Sequence, residues 1–453
     1  MGGMMTTRRA VLRAMVAAGV APLAVPSRVL GRGGEVAPNS RVNVALIGTG
    51  RQVFHANMPW FLWSKDVQVV AACDADAWRM DMARQAVDAS YAVSAGRDAY
   101  KGCAMHRDFR DVLARRDVDA VMISTPDHWH AYMAVSAAQA GKDIALEKPI
   151  SLSVREGRMI ADAVKTHRRI FRTDTEVRAC KPFHQLCQVV RNGLIGDVRR
   201  VIVTVPSDPP PVRDLPATEP VPPELDYDLW LGPAPARLYT EQRVHYRQAG
   251  LDYVGGKGPG WFHIEDYSLG VMLNWGTHVL DITQWLLDTE HGGPTEVKGS
   301  ARFPKKSFWN VAESFRIRYR YASGVEVFYS NAEAASVRAE GTKGWIEFTW
   351  FKENGFKASS PALLAWKPGP NDLALPCVDE KQDFIDCVRS RKEPLITAEK
   401  GHRTATMCQL GHISAKLGER LVWDAAAERV VGNDRANALL TRPYREPWAV
   451  PGC

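Results

Sequence analysis

The chain has 453 residues, 45% of them hydrophobic and 24% charged, with a formal net charge of +7. That length exceeds one ordinary domain and predicts two or three, and the balance is that of a globular protein with a sizeable core. Five of the excess positive charges (Arg8, Arg9, Arg13, Arg28 and Arg32) fall in the first 34 residues, which hold no acid; the rest carries +2 and no Lys/Arg-rich run, which removes the case for nucleic-acid binding.

The first 34 residues read as an address. Residues 6–13 are Thr-Thr-Arg-Arg-Ala-Val-Leu-Arg, and an uncharged apolar stretch runs from Ala14 to Ala24. A basic start and a short apolar core make a secretion signal. The pair Arg8-Arg9 before Val11-Leu12 resembles the twin-arginine type. The expectation is a protein exported already folded, to the periplasm or another extracytoplasmic space. No later apolar run reaches 18 residues, so the mature chain should not span a membrane. The eight cysteines (73, 103, 180, 187, 377, 387, 408 and 453) form no Cys-x-x-Cys pair, so zinc-site spacing is absent and most read as small buried side chains.

Residues 42–47, Val-Asn-Val-Ala-Leu-Ile, suit a buried parallel strand and end in Gly48-Thr49-Gly50. Two close glycines let the backbone turn sharply and approach a pyrophosphate, with Arg51 and Gln52 following. The third glycine of such a loop is missing, and Val53 stands near its place. The next strand, Val67 to Cys73, ends at Asp74, a carboxylate placed to accept both hydroxyls of an adenosine ribose and to repel a 2′-phosphate. This favours NAD over NADP as the cofactor. Further strands at Val118–Ser124 and Ile144–Leu146 alternate with helices at Asp108–Arg115 and His130–Ala140, the βαβ pattern of a doubly wound parallel sheet. Ligands bind at the carboxyl ends of such strands, so Thr125, Pro126, Asp127, Glu147 and Lys148 should face one crevice with the glycine loop. Ser153 to Glu156 reads as a capping box opening the next helix. Later in the chain, residues 311–320 alternate from Glu313 on, Val325–Tyr329 forms a second strand, and Trp345–Trp350 a third. They describe a sheet with one face in the core. The stretch Pro206 to Pro223 reads as a long surface loop.

Several of these segments together resemble the Gfo/Idh/MocA family, which includes glucose–fructose oxidoreductase and inositol dehydrogenase. They are Thr125-Pro126-Asp127-His128-Trp129-His130, Ala140-Gly141-Lys142, Glu147-Lys148-Pro149, Arg191 to Gly196, Asn274-Trp275-Gly276-Thr277-His278-Val279-Leu280-Asp281, and, near the end, Leu421-Val422-Trp423-Asp424 and Arg445-Glu446-Pro447-Trp448. The last two are similar to the tail of the family's exported branch. The resemblance implies a signal at 1–34, a Rossmann domain at 40–170, and an α+β domain at 171–450. The α+β domain would be built on a large, open, mostly antiparallel sheet whose free face serves homo-oligomer contacts.

Hydride transfer from an alcohol carbon needs a base for the hydroxyl proton. Lys148, at a strand end beside the nicotinamide half of the crevice, is one candidate, and in the family the matching lysine binds substrate and supports proton transfer. His278 is the other, because a neutral imidazole can take that proton near pH 7. It lies four residues after Asn274, on one helical face. The family usually has aspartate where Asn274 stands. An amide can orient a hydroxyl or an imidazole but cannot act as a base, which shifts that role to His278 or Lys148. His130 starts the helix beside the cofactor crevice. The pair His128 and His130 with Asp127 could suggest zinc, but the crevice already accounts for them, and no metal is expected. Arg178, Trp230, Arg243, His245, Trp261, His263, Asp266 and Tyr267 occupy segments that resemble the substrate side of exported members, and tryptophan-rich polar segments suit sugar faces.

These features point to an NAD-dependent oxidoreductase acting on a sugar or cyclic polyol, with tightly bound cofactor recycled in each turnover. One alternative is an NAD-dependent glycoside hydrolase that oxidises, eliminates, hydrates and re-reduces. The other is a carbohydrate-binding relative without chemistry.

Overall fold

The structure is a computed structural model that describes residues 40–94, 101–244 and 260–452; the signal segment and His245 lie outside the described residues. Strands β1 (Val42–Ile47), β2 (Val67–Cys73), β3 (Ala104–His106), β4 (Ala120–Ile123), β5 (Asp143–Glu147) and β6 (Phe171–Asp174) form one sheet in the order β3-β2-β1-β4-β5-β6. All its pairings are parallel. Every residue of β4 and β5 is buried, as expected of strands covered on both faces by helices. The strand order reverses between β1 and β4, which opens the crevice predicted at their carboxyl ends. Ile47 pairs with Ile123, so the segments leaving these two strands run side by side. Gly48 has φ +83°, and a Cβ there would lie 2.7 Å from backbone atoms of Ser124 and Thr125; only glycine fits. The capping box at Ser153 and Glu156 is present and starts the helix Val154–Thr166.

The second sheet contains β7 (Val198–Pro206), β8 (Glu296–Arg302), β9 (Ser314–Arg320), β10 (Glu326–Ala332), β11 (Ser336–Gly341), β12 (Trp345–Thr349), β13 (Phe356–Ala358), β14 (Arg420–Asp424) and β15 (Arg429–Val430). Their order is β13-β12-β11-β7-β10-β9-β8-β14-β15. β7 and β10 pair parallel and the other pairings are antiparallel. β9 shows why the sheet has two unlike faces. Phe315, Ile317 and Tyr319 are buried, while Ser314, Arg316, Arg318 and Arg320 between them are exposed. The buried face lies against the helices Gly276–Leu287 and Ala398–Leu417. The fold is thus a doubly wound parallel sheet joined to a large, mostly antiparallel one. Residues 207–222, within the expected proline-rich loop, have no regular structure.

The domain limits differ from a single cut after residue 170. β6 extends the first sheet to Asp174, and the helix Glu380–Ser390 returns to it from late in the chain. Phe384, Ile385 and Cys387 share a core cluster with Val42, Val44, Leu46 and Val67. Arg389 reaches Asp66 at 2.8 Å and Arg391 reaches Asp143 at 2.5 Å. An amphipathic helix carries the same pattern whichever sheet it covers, so periodicity could not assign it.

Candidate active site

The glycine loop is braced by the acid expected to read the ribose. Asp74 accepts from the Thr49 backbone N–H at 2.7 Å and the Thr49 hydroxyl at 3.1 Å, and from the Asp76 N–H at 2.9 Å. Burial nevertheless raises its pKa. Beside Gly50 the space is open: a Cβ there would meet nothing closer than the Arg79 guanidinium at 3.9 Å. The helix that follows Arg51 and Gln52 makes a π turn over Val53–Asn57, with the Met58 N–H bonded to the Val53 carbonyl. Val53 is buried in the third glycine's place. The Gln52 and Asn57 amides both donate to Glu147 Oε1, at 3.0 and 2.8 Å, and Asn57 also lies 3.3 Å from the Ser124 hydroxyl. Asn57, which sequence reasoning missed, therefore ties the loop's helix to the ends of β4 and β5. Burial, with Asp174 adding to it, raises the Glu147 carboxyl to about 7.

His130 sits between the segments leaving β4 and β5. Its Nε2 lies 2.9 Å from the Thr125 carbonyl and its Nδ1 lies 2.6 Å from the Pro149 carbonyl. Burial pushes its pKa down to about 4, so the ring is neutral and donates to one of the two. Pro126 leads into the short turn Asp127–Trp129. His128 is buried too, 3.0 Å from the Trp230 carbonyl, with its pKa pushed by burial to about 3.

Lys148 and Asn274, 126 residues apart, are brought together: the Lys148 ammonium donates to Asn274 Oδ1 at 3.0 Å. The amide Nδ2 of Asn274 donates to Asp127 Oδ2 at 2.8 Å and lies 3.2 Å from the Ser268 hydroxyl, which itself donates to Asp127 at 2.8 Å. Asn274 ends the short helix Val271–Asn274, and His278 lies in the next helix, Gly276–Leu287. The His278 Nδ1–H donates to the Thr175 carbonyl, which leaves Nε2 as the acceptor nitrogen. Burial, with Lys148 nearby, pushes the imidazole pKa to about 3, so it is neutral. Aromatic rings flank it. Trp275 and Trp350 stand 6.0 and 5.5 Å away, and Phe351 stacks on Trp350 at 4.7 Å. Phe351 is 80% exposed and holds φ 57°. Nothing in the sequence pattern gave Ser268, Thr175 or Trp350 a role in the site, because the partners Asp127 and His278 lie far from them along the chain.

The expected substrate residues are placed differently. Arg178 is fully buried, ion-paired with Asp281 at 2.7 Å and Glu290 at 2.6 Å. Trp230 and Tyr267 lie in an aromatic core layer with Phe308 and Trp309, and Trp261 packs against its edge. His263 stacks on Trp309 at 4.0 Å and meets Asp208 at 3.1 Å. Arg243 covers the Phe308 ring, and Asp266 pairs with Arg237 at 3.0 Å. This layer meets the site through His128, whose ring lies 5.1 Å from that of Tyr267.

Comparison with known proteins agrees with this fold. Residues 42–175 match the description "Oxidoreductase family, NAD-binding Rossmann fold", and residues 212–450 match "Oxidoreductase family, C-terminal alpha/beta domain". An oxidoreductase of Rhizobium meliloti is 31% identical over 161 residues, 35% of this chain and 44% of that protein. A glycosyl hydrolase family 109 protein of Shewanella woodyi is 30% identical over 162 residues, 35% of this chain and 33% of its own length. The matches thus span less than half of these curated relatives. Among solved structures, the aldose-aldose oxidoreductase of Caulobacter crescentus, complexed with glycerol, aligns with a TM-score of 0.61 at 16% identity, covering 84% of this chain and 99% of that one. A dehydrogenase of Bordetella pertussis in complex with NADH and UDP-GlcNAcA aligns at 0.60 and 17%, covering 85% and 99%.

Proposed function

The chain belongs to the Gfo/Idh/MocA oxidoreductase family, and from that premise we propose that it is an exported, NAD-dependent enzyme that oxidises a hydroxyl of a sugar or cyclic polyol and returns its bound cofactor to the starting state within each turnover. The observation that carries this reading is the convergence of Lys148, Asn274 and His278 in the crevice beside the Gly48 loop. The residues fit a dinucleotide: the open side of Gly50 admits a pyrophosphate, and Asp74 stands where a ribose would reach it. Bound there, a nicotinamide nucleotide supplies the hydride acceptor.

The protein's own part is positioning and proton handling. Lys148 holds the oxygen of the reacting hydroxyl, and His278 Nε2 accepts its proton. Burial and the neighbouring Lys148 keep the imidazole neutral, so Nε2 presents a lone pair to the hydroxyl, and a proton taken there is readily returned. That suits a cycle in which oxidation is followed by reduction. The rings of Trp275, Trp350 and Phe351 next to His278 suit the C–H face of a sugar. The similarity to glycosyl hydrolase family 109 proteins favours a second reading, net hydrolysis through transient oxidation, in which the same groups serve. We assign oligomer contacts to the open face of the nine-stranded sheet.

An exported enzyme has no dependable supply of free nucleotide. NAD should therefore survive purification of the exported form at about one per chain, and turnover should proceed with none added. Acid release and counting of the nucleotide, followed by assay of sugars and chromogenic glycosides, tests this. Empty protein that accumulates free NADH from external NAD would refute the recycling.

Asp74→Ala should reduce the preference for NAD over NADP by about 10- to 100-fold, the worth of one or two charged hydrogen bonds. Affinity for both should fall as well, because Thr49 loses its acceptor. The ratio from paired binding titrations is the measure, and an unchanged ratio removes Asp74 from cofactor choice.

A further inference from the structure

We propose that Asp127 is the acidic positioning residue of this site, holding Lys148 in its working place through the Asn274 amide, so that Asp127 and Asn274 together replace a carboxylate set directly against the lysine. The inference rests on the reading of Lys148 as the substrate-holding group. Asn274 has one workable orientation: Oδ1 faces the ammonium at 3.0 Å and Nδ2 faces the Asp127 carboxylate at 2.8 Å. Turned over, it would set a donor against a cation and a carbonyl against an anion. The Ser268 hydroxyl donates to the same carboxylate oxygen at 2.8 Å. Asp127 and Asn274 are 3% and 4% exposed, so the charge is weakly screened and is felt across the amide.

The arrangement also explains why residue 274 can be an amide. An aspartate there would put two buried carboxylates within hydrogen-bonding distance, and the pair would have to share a proton. One acid and one amide satisfy the lysine; two acids do not. The two side chains should therefore be exchangeable as a pair.

Lys148 approaches Asp127 from the end of β5, His128 and His130 stand in and after its own turn, and Asp208 and Tyr267 lie in the segments packed around Ser268 and Gly270. Burial and, for His128 and His130, neighbouring cations hold the imidazoles neutral, with pKa values of about 3 and 4. Burial raises the Asp127 carboxyl to about 7. Protonating it removes the anchor of the amide, so turnover should rise with pH through about 7. The sign for stability is opposite. The folded protein keeps this proton to higher pH than the unfolded chain does, so burying Asp127 costs stability progressively as pH rises from the unfolded pKa, near 3.8, to about 7.

The test compares Asp127→Asn, Asn274→Asp and the double exchange. Asp127→Asn should lower kcat about 10- to 100-fold, abolish the rise through neutral pH, and yet melt at a higher temperature than wild type at pH 8. A merely structural residue would lower the melting temperature. Trace acetylation of amines, read by peptide mass spectrometry, reports Lys148 without turnover; its labelling should increase severalfold in Asp127→Asn at pH 8.5, where the wild-type carboxyl is ionised, and by no more than about twofold at pH 7, where about half of it is protonated. The double exchange should restore both labelling and most of the lost activity. Lys148 labelling unchanged at pH 8.5 in Asp127→Asn, or a lower melting temperature at pH 8, overturns the proposal. A wild type inactive on every sugar, with the labelling and melting shifts intact, sinks the functional reading and leaves the role of Asp127 standing.

Discussion

Lys148→Ala is expected to cut turnover by about 10²- to 10⁴-fold, the usual contribution of a positioned acid–base group, while fold and nucleotide binding persist. The lysine is half-buried and its hydrogen bond goes to Asn274, so deletion leaves one amide oxygen without a donor in a place that water can reach. Loss of a group that acts on the reacting oxygen lowers kcat more than it raises KM. Single-turnover kinetics with the bound nucleotide, alongside a melting curve, separates this from misfolding. Turnover within a factor of about three of wild type would remove Lys148 from the mechanism.

Arg178→Ala should have the largest effect on stability, about 3–5 kcal/mol. The guanidinium is fully buried and engages Asp281 through Nε and Nη2 at 2.8 and 2.7 Å, with Glu290 2.6 Å from Nη1. Trp285 lies under it at 5.0 Å. Removing it leaves Asp281 charged, buried and unpaired. Arg302→Ala is the control: its side chain is 73% exposed, and its partner Glu313 keeps Arg213 nearby at 3.6 Å, so the loss should cost about 1 kcal/mol or less. Urea midpoints compare the two. If Arg178→Ala resembles the control in stability but raises KM, the arginine belongs to substrate binding after all.

The residues legible in the sequence were those whose chemistry demands a fixed type at a fixed spacing. Gly48 must be glycine because two strand ends nearly touch there, and Asp74 must follow the second strand because the glycine loop needs its oxygens. Lys148, Asn274 and His278 stood out through motif resemblance, and the structure shows how two distant segments meet. Asn57 and Ser268 left no trace, because an amide or hydroxyl gains its role only from what folding places opposite it. Trp230, His263 and Tyr267 show the converse difficulty. Aromatic and polar residues interleave alike in a sugar cleft and in an aromatic core layer, and the structure sets Trp230 and Tyr267 within the layer containing Phe308 and Trp309, with His263 stacked on Trp309. Asp127 was legible as a crevice residue, but its contact with Asn274 depends on a helix 147 residues away.

The helix Glu380–Ser390 has a consequence for the order of events at the ribosome. The first sheet is complete in sequence by Asp174, yet Phe384, Ile385 and Cys387 are needed to seal its core. About two hundred further residues must be made before that seal exists. Until then the nascent nucleotide-binding half exposes apolar surface of the kind that chaperones hold. The nucleotide crevice therefore reaches its final form only after synthesis has passed residue 390, and a cofactor held for the protein's lifetime can be taken up only from that point on.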